Sequence, residues 1–485
     1  VTPGRVIPSR GINKDHNLMS QVFISAAHKS SGKTTISIGL CAALAQRGLQ
    51  VQAFKKGPDY IDPIWLGMAS GHSCYNLDFH VMQQDEITSL HAEKSAGKDA
   101  VIIEGNKGLY DGLDLDGSNS NAALAMQLGV PVVLVLDVRG MTRGVAPLLL
   151  GYQAFDQNIN ICGVIMNRVG GSRHESKLRR IIEHYTDINV IGAVHNDTDM
   201  TIIERHLGLV PANEQDNTAS LINLMRDRVA SQVDLERLLS LGSPVPDKPA
   251  SPAPTSISPA ASHLRIGIIR DAAFGFYYPR DLEIFQRYGA ELVFINSLAD
   301  ANLPAIDGLF IGGGFPETHL SALEQNASLR DQIRLAIEDG LPVYAECGGL
   351  MYLGRSIQWE GQRYDMVNSI PVDVTMHNKP QGRGYTILQE TGNHPWKGST
   401  GSRAQPASFN AHEFHYSSIS SPDTGFEYSH AFKVLRGHGI DGEHDGIVYK
   451  NVLACYIHQQ HNRQNPWVQR FIDFVAAHKS NSGTT

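Results

Sequence analysis

The apolar residues of this chain fall into short unbroken runs separated by stretches of helical spacing. In the first half the runs lie at 21–25, 51–55, 100–104, 132–137, 161–166 and 189–194. A second series opens at Leu264-Arg265-Ile266-Gly267-Ile268-Ile269 and continues at Glu291–Ile295, Gly308–Ile311 and Leu341–Tyr344. A strand that is apolar throughout is covered on both faces, whereas a half-wet strand alternates. Helices between such strands predict parallel sheets with helices on either side. The expected fold class is therefore α/β, with two doubly wound domains.

Between the two series, residues 242–262 are dominated by proline, serine and alanine and offer nothing that builds a core. The pattern divides the chain into a disordered tail at 1–19, a first domain at 20–241, a linker at 242–262 and a second domain at 263–480. The two halves carry different motifs, and no internal repeat is evident.

Composition narrows the function classes. The 485 residues are 42% hydrophobic and 19% charged, with a formal net charge of −8, so no nucleic-acid or anionic-membrane surface is expected. Five cysteines without regular spacing argue against a disulfide framework and a zinc site. No apolar run approaches the roughly 18 residues of a membrane span, and the first 19 residues lack the apolar centre of a secretory signal. The expected location is cytoplasmic.

Two motifs carry chemistry. The run Leu341–Tyr344 leads into Ala345-Glu346-Cys347-Gly348-Gly349-Leu350, which has the form of a strand-turn-helix nucleophile elbow. Such a corner exposes the thiol and aims backbone N–H groups at the space above it, where they can hold an oxyanion. The thiol needs a base, and Cys455-Tyr456-Ile457-His458 offers one after another apolar run. At the other end, Val22-Phe23-Ile24-Ser25 precedes Ala27-His28-Lys29-Ser30-Ser31-Gly32-Lys33-Thr34-Thr35 and a helical run. Ala27 stands where the strict phosphate-loop pattern has its first glycine, but Gly-Lys-Thr-Thr remains between strand and helix. There the helix N-terminus faces phosphates, Lys33 reaches the outer ones and the Thr34 hydroxyl ligates Mg²⁺. Lys55-Lys56-Gly57-Pro58-Asp59-Tyr60-Ile61-Asp62-Pro63 and Glu104-Gly105-Asn106-Lys107-Gly108-Leu109-Tyr110-Asp111-Gly112 follow two further strands. Ligands of open α/β sheets bind beyond the carboxyl ends of strands, which gathers Asp59, Asp62, Glu104 and Asp111 near Thr34. Asn167, after the fifth run, either reads an adenine edge or forms a turn.

Taken together, these motifs resemble the synthetase half of the cobyrinic acid a,c-diamide synthase family. The second half is similar to it too, through Asp271-Ala272-Ala273-Phe274-Gly275-Phe276-Tyr277-Tyr278-Pro279, Gly312-Gly313-Gly314-Phe315-Pro316-Glu317, the cysteine elbow and His412-Glu413-Phe414-His415-Tyr416-Ser417, in family order. The resemblance runs over roughly residues 20 to 475. It implies a phosphate-loop synthetase domain joined to a class I glutamine amidotransferase-like, flavodoxin-like domain. It further implies that peripheral carboxylates of a tetrapyrrole are amidated with glutamine nitrogen and ATP; the loop with Asp59, Asp62 and Glu104 leads to the expectation of an acyl phosphate on the way.

Site roles follow. Cys347 and His458 are the catalytic pair, with Gly313, Gly314 and Gly348 at the oxyanion. Gly32, Lys33, Thr34, Thr35, Lys29 and Asn167 hold ATP, with Lys29 either touching phosphate or simply solvated. Thr34, Asp59, Asp62 and Glu104 hold Mg²⁺. Tyr60, Asp111, Arg383, Tyr385, His412 and His415 face the substrate, although Tyr385 and His415 are equally readable as core or strand-pairing residues. Some residues depart from the family pattern. Gln460 stands two residues after the histidine, where full-triad glutaminases carry a glutamate, so a Cys347–His458 dyad is expected. Asn410-Ala411 replaces the family's Arg-Gly, which leaves sirohaem or another metal-tetrapyrrole as an alternative substrate. A nucleotide-switched partition ATPase and a binding protein with an inert second domain are the competing classes, and a homodimeric state stays open.

Overall fold

The computed structural model describes residues 19–205, 208–215, 217–246, 263–396 and 407–482. The expected tail, apart from Met19, lies outside the described residues, and so does 247–262 of the expected linker. The linker's opening residues belong to the first half, because Ser243 and Pro244 pair antiparallel with Gln21 and Ser20.

The first half is built on seven parallel strands: β1 (Ser20–Ala26), β2 (Val51–Lys56), β3 (Tyr75–Leu77), β4 (Ala100–Glu104), β5 (Val132–Asp137), β6 (Ile161–Val169) and β7 (Asn189–His195). Their order across the sheet is β3-β2-β4-β1-β5-β6-β7. Side chains alternate between two cores, as a strand demands. Val22, Ile24, Val133 and Val135 enter one core, and Phe23, Val132, Leu134 and Leu136 enter the other. Strand β3 is the one the apolar pattern did not predict; only three residues long, it carries no periodic signal. Helices α1 (Lys33–Gln46) and α2 (Ile61–Ser70) start at the carboxyl ends of β1 and β2 and carry the two loops that matter most.

The second half has a nine-stranded mixed sheet. Strands β8 (Arg265–Ile269), β9 (Glu291–Ile295), β10 (Gly308–Ile311) and β11 (Val343–Glu346) are the predicted ones. To these are added β12 (Gly382–Glu390), β13 (Ser408–His415), β14 (Ser429–Arg436), β15 (His444–Tyr449) and β16 (Val452–Cys455), in the order β9-β8-β10-β11-β16-β15-β14-β12-β13. The first five are parallel, and the remainder form an antiparallel extension. The extension alternates apolar and polar residues, so it has no continuous apolar run to announce it. It brings Arg383, Tyr385 and His412 to the rim of a cleft against the first half.

Several contacts close the two halves on each other. Lys94 meets Glu283 at 2.6 Å and Arg280 meets Glu93 at 2.8 Å. Asn410 Nδ2 donates to the His80 carbonyl at 2.6 Å. The Tyr60 ring stacks on Phe276 with centroids 5.2 Å apart.

Candidate active site

The cleft between the halves has a volume of about 1810 Å³. Lys33, Thr34, Thr35, Asp59, Tyr60, Asp62, Asp111 and Asn167 line it from the first half, and Arg383, Tyr385, His412 and His458 from the second.

Its phosphate loop is shaped by Gly32, whose φ of 86° lies in the left-handed region that favours glycine. A Cβ there would come within 2.2 Å of the Asn167 amide. Asn167 Nδ2 donates to the Ser31 carbonyl at 3.0 Å, and its Oδ1 accepts the Arg168 N–H at 2.9 Å. Asn167 therefore braces the loop, with both ends of its amide engaged inside the protein. Lys33 Nζ donates to the Lys107 carbonyl at 2.7 Å. Burial, and then the neighbouring Lys55 charge, lower its pKa to about 8. Lys29 is exposed and is not among the residues that line the cleft.

Below the loop lies a group of acids around a buried cation that the sequence did not single out. Lys55, 3% exposed at the end of β2, donates to Asp62 at 2.5 Å and Glu104 at 2.8 Å, with Asp59 3.8 Å away. Burial opposes its charge, but Asp62, Glu104 and Asp59 outweigh burial and hold its pKa well above the ordinary value. Thr34 Oγ1 donates to Glu104 at 2.8 Å and to Asp62 at 3.2 Å. Asp59 Oδ1 accepts the N–H groups of Ile61 and Asp62 at the start of α2. Glu104 Oε2 is buried without a hydrogen-bond partner. Among the described residues no three or more His, Cys, Asp or Glu side chains gather closely enough to hold a metal by themselves. Mg²⁺ does not require that, since it keeps water and phosphate oxygens and takes only one or two protein carboxylates. A hydroxyl, hard carboxylate oxygens and an orphaned buried oxygen fit such an ion.

The second centre is the elbow. Cys347 has φ 48° and ψ −102°, a strained conformation for a non-glycine residue, between β11 and α3 (Gly348–Leu353). Its N–H donates to the Cys455 carbonyl at 2.7 Å, which ties the elbow to β16. A Cβ on Gly348 would stand 3.1 Å from the Gly314 nitrogen, and one on Gly313 would stand 2.5 Å from His458 Cε1. Gly313, Gly314 and Gly348 thus crowd one spot beside the thiol and the imidazole. Burial first, and then Glu317, push the Cys347 thiol well above its ordinary range.

His458 lines the cleft and lies against Gly313 beside the elbow. Its ring stacks on His412 at 4.9 Å and lies 5.2 Å from the Tyr60 ring. Gln460 does not reach it; its Nε2 points to the Met82 sulfur. His458 Nδ1 instead faces Glu346 Oε2 at 3.3 Å. Sequence reasoning missed this carboxylate, which immediately precedes the nucleophile.

The remaining substrate-facing expectations divide. Arg383 is exposed over the Phe414 ring, with its guanidinium carbon 5.4 Å from the centroid. Tyr385 lines the cleft, and its hydroxyl donates to Asp78 Oδ1 at 3.0 Å across the two halves. Asp111 is exposed at the rim and accepts the Gly108 N–H. His412 belongs to the ring wall beside His458. His415 is not in the cleft. It is an odd number of residues from His412 on the same strand, so it faces the opposite side, where it stacks on Tyr456 at 3.9 Å and its ring bonds the Ser417 carbonyl. Arg436 and His438 line the cleft without having been expected to. No helix among the described residues is long and apolar enough to cross a membrane.

Comparison with known proteins agrees with this division. Residues 23–210 match the CobQ/CobB/MinD/ParA nucleotide binding domain, and residues 265–466 match the CobB/CobQ-like glutamine amidotransferase domain. The chain is 44% identical over 443 residues to a cobyrinate a,c-diamide synthase of Magnetococcus marinus, covering 90% of this chain and 93% of that one. It is 38% identical over 453 residues to one from Archaeoglobus fulgidus, covering 93% and 96%. One from Methanobrevibacter smithii is 36% identical over 440 residues, covering 90% and 95%. A nucleotide-binding half and a glutaminase half meet at one cleft, and similarity to these enzymes runs through both: the chain belongs to the cobyrinate a,c-diamide synthase family of glutamine-dependent amide ligases.

Proposed function

We propose that the protein amidates peripheral carboxylates of a tetrapyrrole of the cobyrinic acid type, with ATP and glutamine, through an acyl phosphate. The observation that carries this reading is the single cleft lined by Lys33 and Thr34 on one side and by His458 and Arg383 on the other. It has room for a nucleotide and a macrocycle, and the ring wall of Tyr60, His412 and His458 supplies flat surfaces.

A carboxylate resists ammonia until one oxygen can leave. In the proposed sequence a substrate carboxylate oxygen attacks the γ-phosphorus of ATP, the bond to the bridging oxygen breaks, and ADP departs. Lys33 and the loop N–H groups offset the charge spread over the phosphates. Thr34, Asp62, Glu104 and Asp59 would hold Mg²⁺, which when bound neutralises phosphate charge. At the elbow, His458 Nε2 takes the Cys347 proton and the thiolate attacks the side-chain amide carbon of glutamine. The oxyanion rests on the N–H groups of Gly348 and the Gly313-Gly314 turn. The imidazolium returns its proton to the leaving nitrogen, giving ammonia and a thioester that water hydrolyses to glutamate. Ammonia then attacks the acyl phosphate carbon, phosphate leaves, and a proton is lost to give the amide. Arg383 suits bidentate pairing with another carboxylate of the same macrocycle.

The test is to incubate the protein with ATP, Mg²⁺, glutamine and cobyrinic acid and to follow the product by mass spectrometry. Replacement of hydroxyl by amino groups on the macrocycle supports the reading. Amidation of a sirohaem-type or nickel tetrapyrrole with no turnover of cobyrinic acid keeps the chemistry and replaces the substrate.

A further inference from the structure

We propose that Glu346 is the positioning residue of the glutaminase, completing a Cys347–His458–Glu346 relay in which the carboxylate comes from the nucleophile's own strand. This rests on the reading of Cys347 and His458 given above.

Backbone topology places the three groups together. Strands β11 and β16 are parallel neighbours, with Glu346 paired to Cys455 in register. Both run out at the same edge, so β11 delivers Glu346 and Cys347 while β16 delivers His458. Consecutive residues of a strand point to opposite sides. Glu346 therefore turns away from the thiol side, toward the far nitrogen of the imidazole.

The carboxylate is 2% exposed, and each of its oxygens has a defined neighbour. Oε1 accepts the Tyr344 hydroxyl at 2.6 Å and the Gln459 N–H at 2.9 Å. Gln459 Nε2 in turn donates to the Tyr344 oxygen at 2.6 Å, and Gln459 Oε1 accepts from Asn465 at 2.8 Å. This network fixes one oxygen and leaves Oε2 for His458 Nδ1 at 3.3 Å. A proton held on Nδ1 leaves Nε2 bare to take the Cys347 proton. When it does, the imidazolium forms beside a fixed negative charge, which favours it. The proton on Nδ1 stays on Nδ1 throughout.

The other groups packed on His458 do not supply that charge. Burial first holds His412 well below its ordinary pKa, and burial holds the Tyr60, Tyr278 and Tyr344 phenols well above theirs. Asp281, close to Glu346, is likewise pushed well above the carboxylate range by burial. Asp445 is engaged by the N–H groups of Gly446, Tyr456 and Ile457, and Glu317 bears on the thiol.

The test compares Glu346→Gln, Gln460→Ala and Cys347→Ala in the full-length protein. Glutamine hydrolysis and ATP-driven amidation with external ammonia are measured across pH. Glu346→Gln keeps the shape and removes the charge. It is expected to lower the glutamine kcat on the order of 100-fold with little change in KM. Ammonia-driven amidation reports that the variant is folded. Gln460→Ala should hydrolyse glutamine within about threefold of the parent, about 0.65 kcal/mol. A loss of kcat under threefold in Glu346→Gln, or a loss carried by KM with kcat unchanged, overturns the proposal, and so does a large loss in Gln460→Ala. If Cys347→Ala still hydrolyses glutamine, the glutaminase reading itself fails, which is a distinct outcome. Should Glu346→Gln not fold, nitrogen NMR of the labelled parent decides: His458 with its neutral proton on Nδ1 supports the proposal, and with the proton on Nε2 overturns it.

Discussion

Replacing Lys55 with methionine removes an ammonium that sits among the carboxylates of Asp59, Asp62 and Glu104 at the base of the phosphate loop. Lys55 and Glu104 are 3% and 0% exposed, and Asp62 is 13% exposed, so water cannot stand in for the lost charge. Deleting one partner of a buried ion pair costs about 3 to 5 kcal/mol, since the charge left behind is desolvated and unpaired. Lys55's folded pKa is raised above the ordinary value of 10.5. The Lys55 side of the pair is therefore present below about pH 10.5 and lost as pH rises through its raised pKa, while the Asp62 side, whose pKa is lowered, is lost only in acid. At neutral pH the whole cost appears. A first half of roughly 225 residues has an unfolding entropy of about 0.5 kcal/mol/K near its midpoint, so Tm falls by about 6 to 10 °C if that half melts alone. If both halves melt together, the fall is about 3 to 5 °C. Calorimetry of parent and variant at pH 7.5 measures this. Mg²⁺ with ATP should narrow the gap, because a bound cation again faces Asp62 and Glu104. A shift under about 1 °C would refute the view that Lys55 neutralises the site.

Other consequences are simpler to read. Glu104→Gln should abolish ATP-dependent amidation with either nitrogen source while leaving the glutamine hydrolysis of the second half measurable; near-normal amidation would remove Glu104 from the site. Iodoacetamide should alkylate Cys347 slowly at pH 7 in the absence of glutamine, because burial keeps the thiol protonated; a rate matching a free thiolate would contradict the burial argument. Arg383→Ala should raise the KM for the tetrapyrrole about tenfold or more, the loss of one charge-assisted carboxylate contact, and leave the KM for ATP and glutamine alone; equal effects on all three would place Arg383 outside the substrate surface.

The phosphate loop and the cysteine elbow were legible because each is contiguous and has a fixed backbone form. The parallel strands were legible because their apolar runs are continuous. What stayed hidden depends on pairs distant in sequence. Lys55 and Glu104 are 49 residues apart and His458 and Glu346 are 112 apart, and nothing local to any of them announces its partner. The missing glutamate at Gln460 suggested a dyad, yet the structure brings a carboxylate to the imidazole from the neighbouring strand. His415 was misplaced for a reason the sequence did contain. His412 and Phe414 pair with Tyr385 and Arg383, so the alternation of β13 already put His415 on the other face. The antiparallel extension went unpredicted because its strands, one side wet, mix polar residues into every run.

The central claim is that nitrogen released at Cys347 reaches a carboxylate activated beside Lys33 in the same cleft. The direct measurement supplies glutamine labelled in its side-chain nitrogen together with excess unlabelled ammonium at a pH where little free ammonia exists, and weighs the amidated tetrapyrrole. The account predicts labelled product from the parent and only unlabelled product, at higher ammonium, from Cys347→Ala. Product from the parent that carries no label, or labelled product from Cys347→Ala, would contradict it.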